Sequence, residues 1–204
     1  MDYKYWNSYY AKQQTPLKPT QFAKDIIGYL KYDKKLLELG CGNGRDSIYF
    51  RSNNLVVSSV DQSDIAIQNL KEKHKDIEFV VDNFITTKLF NKKFDYIYSR
   101  FTLHSITAEE EKILLRNVYE SLSDKGMFFI EARSVKDEIY GLGEEVDRNV
   151  FIYNGHRRRF IVMEELIGSI KEVGFEIIVQ KEANNLAVYK EENPVVVRLV
   201  CKKI

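Results

Sequence analysis

The chain has 204 residues, 44% hydrophobic and 30% charged, which suits one globular domain and excludes a largely disordered chain. A formal net charge of +1 excludes the broad basic face of a nucleic-acid or anionic-membrane binder, so a charged partner must be met by a local cluster. Cys41 and Cys201 are too few and too far apart for a disulfide framework or a metal-ligand spacing, and no apolar run is long enough to span a bilayer. The first residues carry no apolar signal core, so a cytoplasmic protein with no membrane contact and no metal is expected.

Residues 1–20 are aromatic and polar, and are interrupted by Pro16 and Pro19. Phe22, Ile26, Ile27 and Leu30 then fall at helical spacing, which predicts a helix over 21–30. Short apolar runs predict strands at 35–39, 55–60, 77–81, 94–98 and 127–132. Amphipathic stretches between them predict helices from Gly44 to about Arg51, over 64–73 with Ser63 or Asp64 as cap, and over 109–122. A last helix over 164–173 stops at Gly174, and strands at 175–180 and 195–201, with no helix between them, should pair antiparallel. Strands alternating with helices imply parallel units with right-handed crossovers, hence a sheet with helices on both faces. Residues 133–162 form an insertion between the fifth strand and the last helix, a place where loops commonly carry specificity.

The densest chemistry is Glu38-Leu39-Gly40-Cys41-Gly42-Asn43-Gly44. Glycines at 40, 42 and 44 let the chain turn sharply off the first strand and bring its backbone close to a ligand. No Lys-Ser or Lys-Thr follows, so the loop is not a phosphate-cradling P-loop, and it departs from the dinucleotide G-x-G-x-x-G by one residue. A carboxylate at Glu38 repels a pyrophosphate but can hold the cationic amino group of an amino-acid-bearing cofactor. Asp61 closes the second strand about 20 residues on, where a carboxylate can accept ribose hydroxyls; taken alone, a mere cap for the helix that follows is its minority reading. Asp82 closes the third strand, followed by Asn83 and Phe84, so three acids converge on the strand ends.

At these residues the chain resembles class I S-adenosylmethionine-dependent methyltransferases of the small-molecule type. The likeness covers about residues 35–135, and the Glu38–Gly44 stretch is similar to the family's E/D-x-G-x-G-x-G loop. It implies a single methyltransferase domain over 1–204, with a seven-stranded, mostly parallel Rossmann-like sheet, helices on both faces and an antiparallel last strand. It also implies S-adenosyl-L-methionine as cofactor, with Glu38, Gly40, Cys41, Gly42, Asn43 and Gly44 around the methionine moiety. Asp61 and Gln62 would then meet the ribose, and Asp82, Asn83 and Phe84 the adenine, with Ser99 at the end of the fourth strand. Asp124-Lys125 departs from the family's turn before strand five, at the end of the sheet away from the cofactor.

The acceptor is less legible. Only His74, His104 and His156 exist as imidazole bases. His74 sits among Lys71, Glu72, Lys73 and Lys75 and reads as surface. His104 follows the fourth strand, beside the reacting methyl in this fold, and is either a base or a pocket wall; His156 is the competing base. The insertion carries Tyr153 and then Arg157, Arg158 and Arg159, which are either anion contacts or a solvated charge run. Strand alternation sends Arg157 and Arg159 one way and Arg158 the other. Tyr3, Tyr5, Trp6, Tyr9 and Tyr10 form either a lid over the cofactor, within an N-terminal segment 1–30, or an aromatic face packed on the sheet edge. The sequence therefore points to methyl transfer onto an oxygen or nitrogen of a small, anionic molecule. RNA or protein methylation, and a non-catalytic cofactor-binding subunit, are the other readings. Nucleic acid is not the expected partner, and oligomeric state is left open.

Overall fold

Two helices, α1 (Tyr3–Lys12) and α2 (Gln21–Ile26), precede β1 (Lys35–Leu39), α3 (Arg45–Ser52), β2 (Val56–Asp61), α4 (Asp64–Lys73), β3 (Glu78–Val81), β4 (Phe94–Arg100), α5 (Ala108–Ser121) and β5 (Leu122–Arg133). The insertion follows as β6 (Glu144–Asp147), β7 (Val150–Tyr153) and β8 (His156–Arg159), and the chain ends with α6 (Met163–Val173), β9 (Phe175–Ala183) and β10 (Val196–Lys203). The computed structural model describes residues 3–12 and 18–204, with side chains at 6–11 and 18–204; the side chains of Tyr3 and Tyr5 lie outside what is described.

Seven strands form one sheet in the order β3-β2-β1-β4-β5-β10-β9. The first five run parallel, and β10 is antiparallel to both neighbours. Alternation along the strands separates the two faces. Leu37, Leu39, Ile97, Phe128 and Ile130 pack beneath Leu114, Leu115 and Val118 of α5 and Leu166 and Ile170 of α6. Leu36, Tyr98 and Phe129 pack on the other side beneath Phe22, Phe50, Ile67 and Leu70 of α2, α3 and α4. Both faces being dry is why the central strands read as near-continuous apolar runs.

Local chemistry fixes the helix starts. Thr20 and Ser63 accept the amides of Ala23 and Ala66 at the heads of α2 and α4, and Thr107 with Glu110 closes a capping box on α5. Each such cap contributes about 1 kcal/mol. The capping box starts α5 at Ala108, and the helix ends at Ser121 rather than 122, because Leu122 is already extended and pairs with Phe94. Strand five therefore begins at Leu122, not 127, with a register shift and a left-handed Lys125 inside it. The helix expected over 21–30 is α-helical only to Ile26 and tightens to a 3-10 turn over Ile27–Tyr29, where Gly28 weakens it. The insertion, expected as loop, holds a three-stranded antiparallel sheet in the order β6-β7-β8.

Register decides where ligands can sit. Leu39 lies opposite Val60 of β2 and Ser99 of β4, so the carboxyl ends of these three strands are level. Sheet order reverses between β1 and β4, which opens a crevice at that edge.

Candidate active site

A cavity of about 330 Å³ fills this crevice, bounded by the ends of β1, β2, β4 and β5, by α1, by β8 and by the loop 184–195. One half is built around the glycine loop. Gly40 and Gly42 have φ of 68° and 53°, and the amides of Gly40 and Cys41 both donate to the Val60 carbonyl, folding the loop back over β2. Asp61 holds the loop from the other side: its carboxylate accepts the Gly42 amide at 2.8 Å and the Ser63 amide at 2.8 Å. Burial pushes the Asp61 carboxyl up, and these backbone donors oppose the shift.

Glu38 lies on the α3 side of β1 and is buried, accepting the Ser47 hydroxyl. Burial and the nearby Asp46 carboxylate push the Glu38 carboxyl well above its ordinary range. Asp46 is itself fixed by the Thr20 amide and hydroxyl at 2.7 and 2.8 Å and by the Tyr98 hydroxyl at 3.0 Å. Three acids, Glu38, Asp46 and Asp61, thus line one half of the cavity with Arg45 as the neighbouring cation. Such a wall attracts a positive ligand.

Helix α1 covers this half. Asn7 donates to Asp64 at 2.9 Å and accepts the Ser63 hydroxyl at 2.6 Å, docking α1 on the head of α4. Tyr10 reaches the loop itself: a methyl group on Gly42 would stand 2.1 Å from the Tyr10 hydroxyl oxygen. Trp6 stacks on Tyr10 with centroids 5.9 Å apart, and all of Trp6, Tyr9 and Tyr10 line the cavity.

The other half is basic and aromatic. His104 is buried, and its Nε2 has no hydrogen-bond partner among the described residues. Burial, then the neighbouring His156 and the guanidiniums of Arg158, Arg133 and Arg100, hold its imidazole well below the usual range, so it is neutral. Arg100 donates to Glu131 at 2.7 Å and lies 4.2 Å over the ring of Phe101, which itself takes the left-handed φ of 53°. Arg133 donates to Asp137 and Glu192.

The structure brings together Glu38, Gly40, Cys41, Asn43, Asp61, Gln62, Phe84, His104, His156, Arg158, Trp6 and Tyr10 around this one cavity. Gly42 and Gly44 shape the loop but do not line it: Gly42 lies under Tyr10 and Gly44 under Leu70. Asp82 and Asn83 are not brought into it. The Asp82 carboxylate accepts the Asn83 and Lys88 amides and the Thr87 hydroxyl, and Asn83 accepts the Ile85 amide, so both side chains build their own loop. Ser99 is buried against Thr102, and Tyr153 is outside the cavity. Of the three arginines Arg158 alone lines it; Arg159 is turned away onto Glu111 and the Leu103 carbonyl, as the alternation of β8 requires. Sequence reasoning missed Arg100, Phe101 and Arg133. All three stand at carboxyl ends of strands, a position that itself marks ligand contacts.

A methyltransferase-domain profile matches residues 10–180. The chain is 25% identical over 133 residues to an uncharacterized methyltransferase of Staphylococcus carnosus, covering 58% of this chain and 63% of that one. It is 25% identical over 122 residues to a carboxy-S-adenosyl-L-methionine synthase of Campylobacter concisus, covering 57% and 51%. The chain thus spans between half and two thirds of the length of these relatives. Its fold is similar to that of a SAM-dependent methyltransferase of Methanosarcina mazei, with a TM-score of 0.78, 17% identity, and 93% and 99% of the two chains covered. With 171 residues inside the matched profile and this sheet order beneath it, the chain belongs to the methyltransferase-domain family.

Proposed function

We propose that the chain binds S-adenosylmethionine on the glycine loop and transfers its methyl group to an oxygen or nitrogen of a small, anionic acceptor. The carrying observation is the division of one cavity into an acidic half around Glu38 and Asp61 and a basic, aromatic half around His104. A ligand with an ammonium group fits the first half, because among the described residues the buried Glu38 carboxyl has no cationic hydrogen-bond partner. Glu38 and Asp46 would hold the amino group, Asp61 and Gln62 the ribose, and Phe84 the adenine face.

The cofactor supplies an electrophilic methyl carbon on a sulfonium, ready for in-line displacement. The chain's own residues do the rest. Trp6 and Tyr10 on α1 exclude water from the reacting centre, and Arg158 orients the acceptor's anionic group. His104 Nε2, neutral and lacking a donor, takes the proton that leaves an acceptor O–H or N–H as the new bond to methyl forms. The chain then works as one domain, with 1–30 as lid and 133–162 as acceptor-side insertion. A cavity of this size under a helix favours a small acceptor over RNA or protein. Among the described residues no helix is long and apolar enough to cross a membrane.

The test has two stages. Calorimetry should find S-adenosylmethionine and S-adenosylhomocysteine at one site per chain, with NAD and ATP weak or silent; tight NAD binding with no sulfonium binding overturns the reading. A metabolite panel should then give S-adenosylhomocysteine release with at least one small anionic compound.

A further inference from the structure

The basic half of the cavity combines a ring-lined wall with a guanidinium whose two counterions are held very unequally. Trp6 meets His156 edge to face at 5.3 Å and lies 6.1 Å from His104, and Phe101 meets His104 at 6.2 Å. All four rings face the same cavity, and the left-handed backbone at Phe101 sets that ring's direction. A wall of this kind favours a flat π-system, through offset or edge-on ring contacts that a saturated ring does not make.

Arg133 gives one terminal nitrogen to Asp137 at 3.1 Å and the other to Glu192 at 2.8 Å. Asp137 is fixed: its carboxylate is fully buried and also accepts the amides of Ile139 and Val195. Glu192 is the opposite case. Its side chain is 68% exposed, and among the described contacts its carboxylate meets only Arg133. An exposed pair of this sort is worth little, so an incoming carboxylate that also gains ring contacts displaces it. The planar guanidinium matches a carboxylate better than it matches a neutral amide. His104, held neutral by burial and by the surrounding positive charge, presents an uncharged ring to this wall.

We infer that the acceptor is a flat aromatic or heteroaromatic acid whose carboxylate replaces Glu192 on Arg133 and whose ring lies against Trp6, Phe101 and His104. As an identification of the acceptor it rests on the methyl-transfer reading, but the binding it requires does not.

Trp6 is the chain's single tryptophan, so its fluorescence reports on this wall directly. The full chain, with and without S-adenosylhomocysteine, is titrated with benzoate and nicotinate, with cyclohexanecarboxylate as the acid without a flat ring, and with benzamide as the ring without charge. The two aromatic acids should change Trp6 emission saturably, binding roughly ten-fold or more tighter than benzamide, the size of one lost charge-assisted contact, and roughly three-fold or more tighter than cyclohexanecarboxylate, the size of a lost ring contact. Glu192→Ala should tighten benzoate binding, and Arg133→Lys, which keeps the charge but loses the bidentate fork, should narrow the preference of benzoate over benzamide. Arg133→Ala leaves Asp137 buried and unpaired, so the Lys and Glu192 variants carry the test if it fails to fold. Equal binding of benzoate, benzamide and cyclohexanecarboxylate, or no saturable response to either aromatic acid, overturns the inference. Calorimetric S-adenosylhomocysteine binding on the same samples separates the two readings: binding there with no aromatic-acid response sinks this inference alone.

Discussion

The imidazoles of His104 and His156 meet edge to face, with centroids 5.7 Å apart and planes at 78°. The two residues lie on different elements, one after β4 and one at the head of β8, yet both reach the same cavity wall beside Trp6. Burial, His156 and the guanidiniums of Arg158, Arg133 and Arg100 together keep the His104 ring neutral.

With a hydroxyl or amine acceptor, His104→Ala should lower turnover by roughly 10²–10⁴-fold, the usual size of a general-base contribution, with cofactor affinity intact. The pH profile should carry the signature of a depressed imidazole: the neutral form is the active one, so activity falls only at a pH well under the ordinary histidine value. Stability follows the same shift. An unfolded imidazole titrates near 6.5, so between that and the lower folded value the unfolded chain binds more protons, and stability is lost as pH falls through this window. His104→Gln should flatten that acid-side loss in denaturant titrations. A near-normal rate per folded molecule with only a changed melting temperature would make His104 a wall residue.

Glu38 titrates in the other sense. Its carboxyl is raised, so above its unfolded value of 4.5 the folded state holds a proton that the unfolded chain gives up, and stability declines as pH rises through the raised value. Glu38→Gln keeps an acceptor for Ser47 and removes the ionisation that favours the unfolded chain at neutral pH. The free variant should therefore melt higher than the parent at neutral pH while losing S-adenosylhomocysteine binding. In the parent, binding of a cationic ligand should release protons, seen as a buffer-dependent calorimetric enthalpy. A variant that both melts lower and still binds cofactor would remove Glu38 from the role given to it.

Asp61 ties the loop to the head of α4 by accepting the Gly42 and Ser63 amides. Each such bond to a charged acceptor is worth about 1.5–3 kcal/mol. Asp61→Ala should therefore cost stability and cofactor affinity together, and Asp61→Asn, which keeps one acceptor oxygen, should fall between. Equilibrium unfolding and calorimetry on the same proteins check this; a stability loss with unchanged cofactor affinity would leave Asp61 as a helix cap alone.

How much of this was legible in the sequence follows from how local each cause is. The sheet and its helices are local: apolar period and capping residues such as Ser63 predict α4 to the residue. The glycine loop is local too, since Gly40 and Gly42 must leave the right-handed region within a few positions of Glu38. Asp82 is harder to place, because a carboxylate at a strand end looks the same whether it faces a ligand or its own loop, and here it accepts from Thr87 and Lys88, five and six residues on. Arg100 and Arg133 were invisible for a different reason. Arg100 is held by Glu131, 31 residues away, and Arg133 by Glu192, 59 residues away, as well as by Asp137 four residues on, so the neighbouring sequence shows only part of what fixes them.

The three consecutive arginines give the sharpest contrast, because the structure assigns them three environments. Arg158 lines the cavity. Arg159 is paired with Glu111, both side chains nearly buried at 11% and 8% exposure, and it also reaches the Leu103 carbonyl. Arg157 is half-buried on β8 opposite Ile152, away from the cavity. Arg159→Ala strands a buried carboxylate and should destabilise the fold by about 3–5 kcal/mol, the usual penalty for breaking one side of a buried pair. Arg157→Ala should change neither stability nor turnover by much. Arg158→Ala should raise the acceptor KM without altering cofactor affinity, and Arg158→Lys should already do so, because an ammonium cannot reproduce the planar fork. Denaturant unfolding sorts the first two variants, and acceptor kinetics sorts the third. If Arg158→Ala turns acceptor over normally while Arg159→Ala unfolds as expected, the run is structural throughout, and the anionic acceptor loses its support from β8.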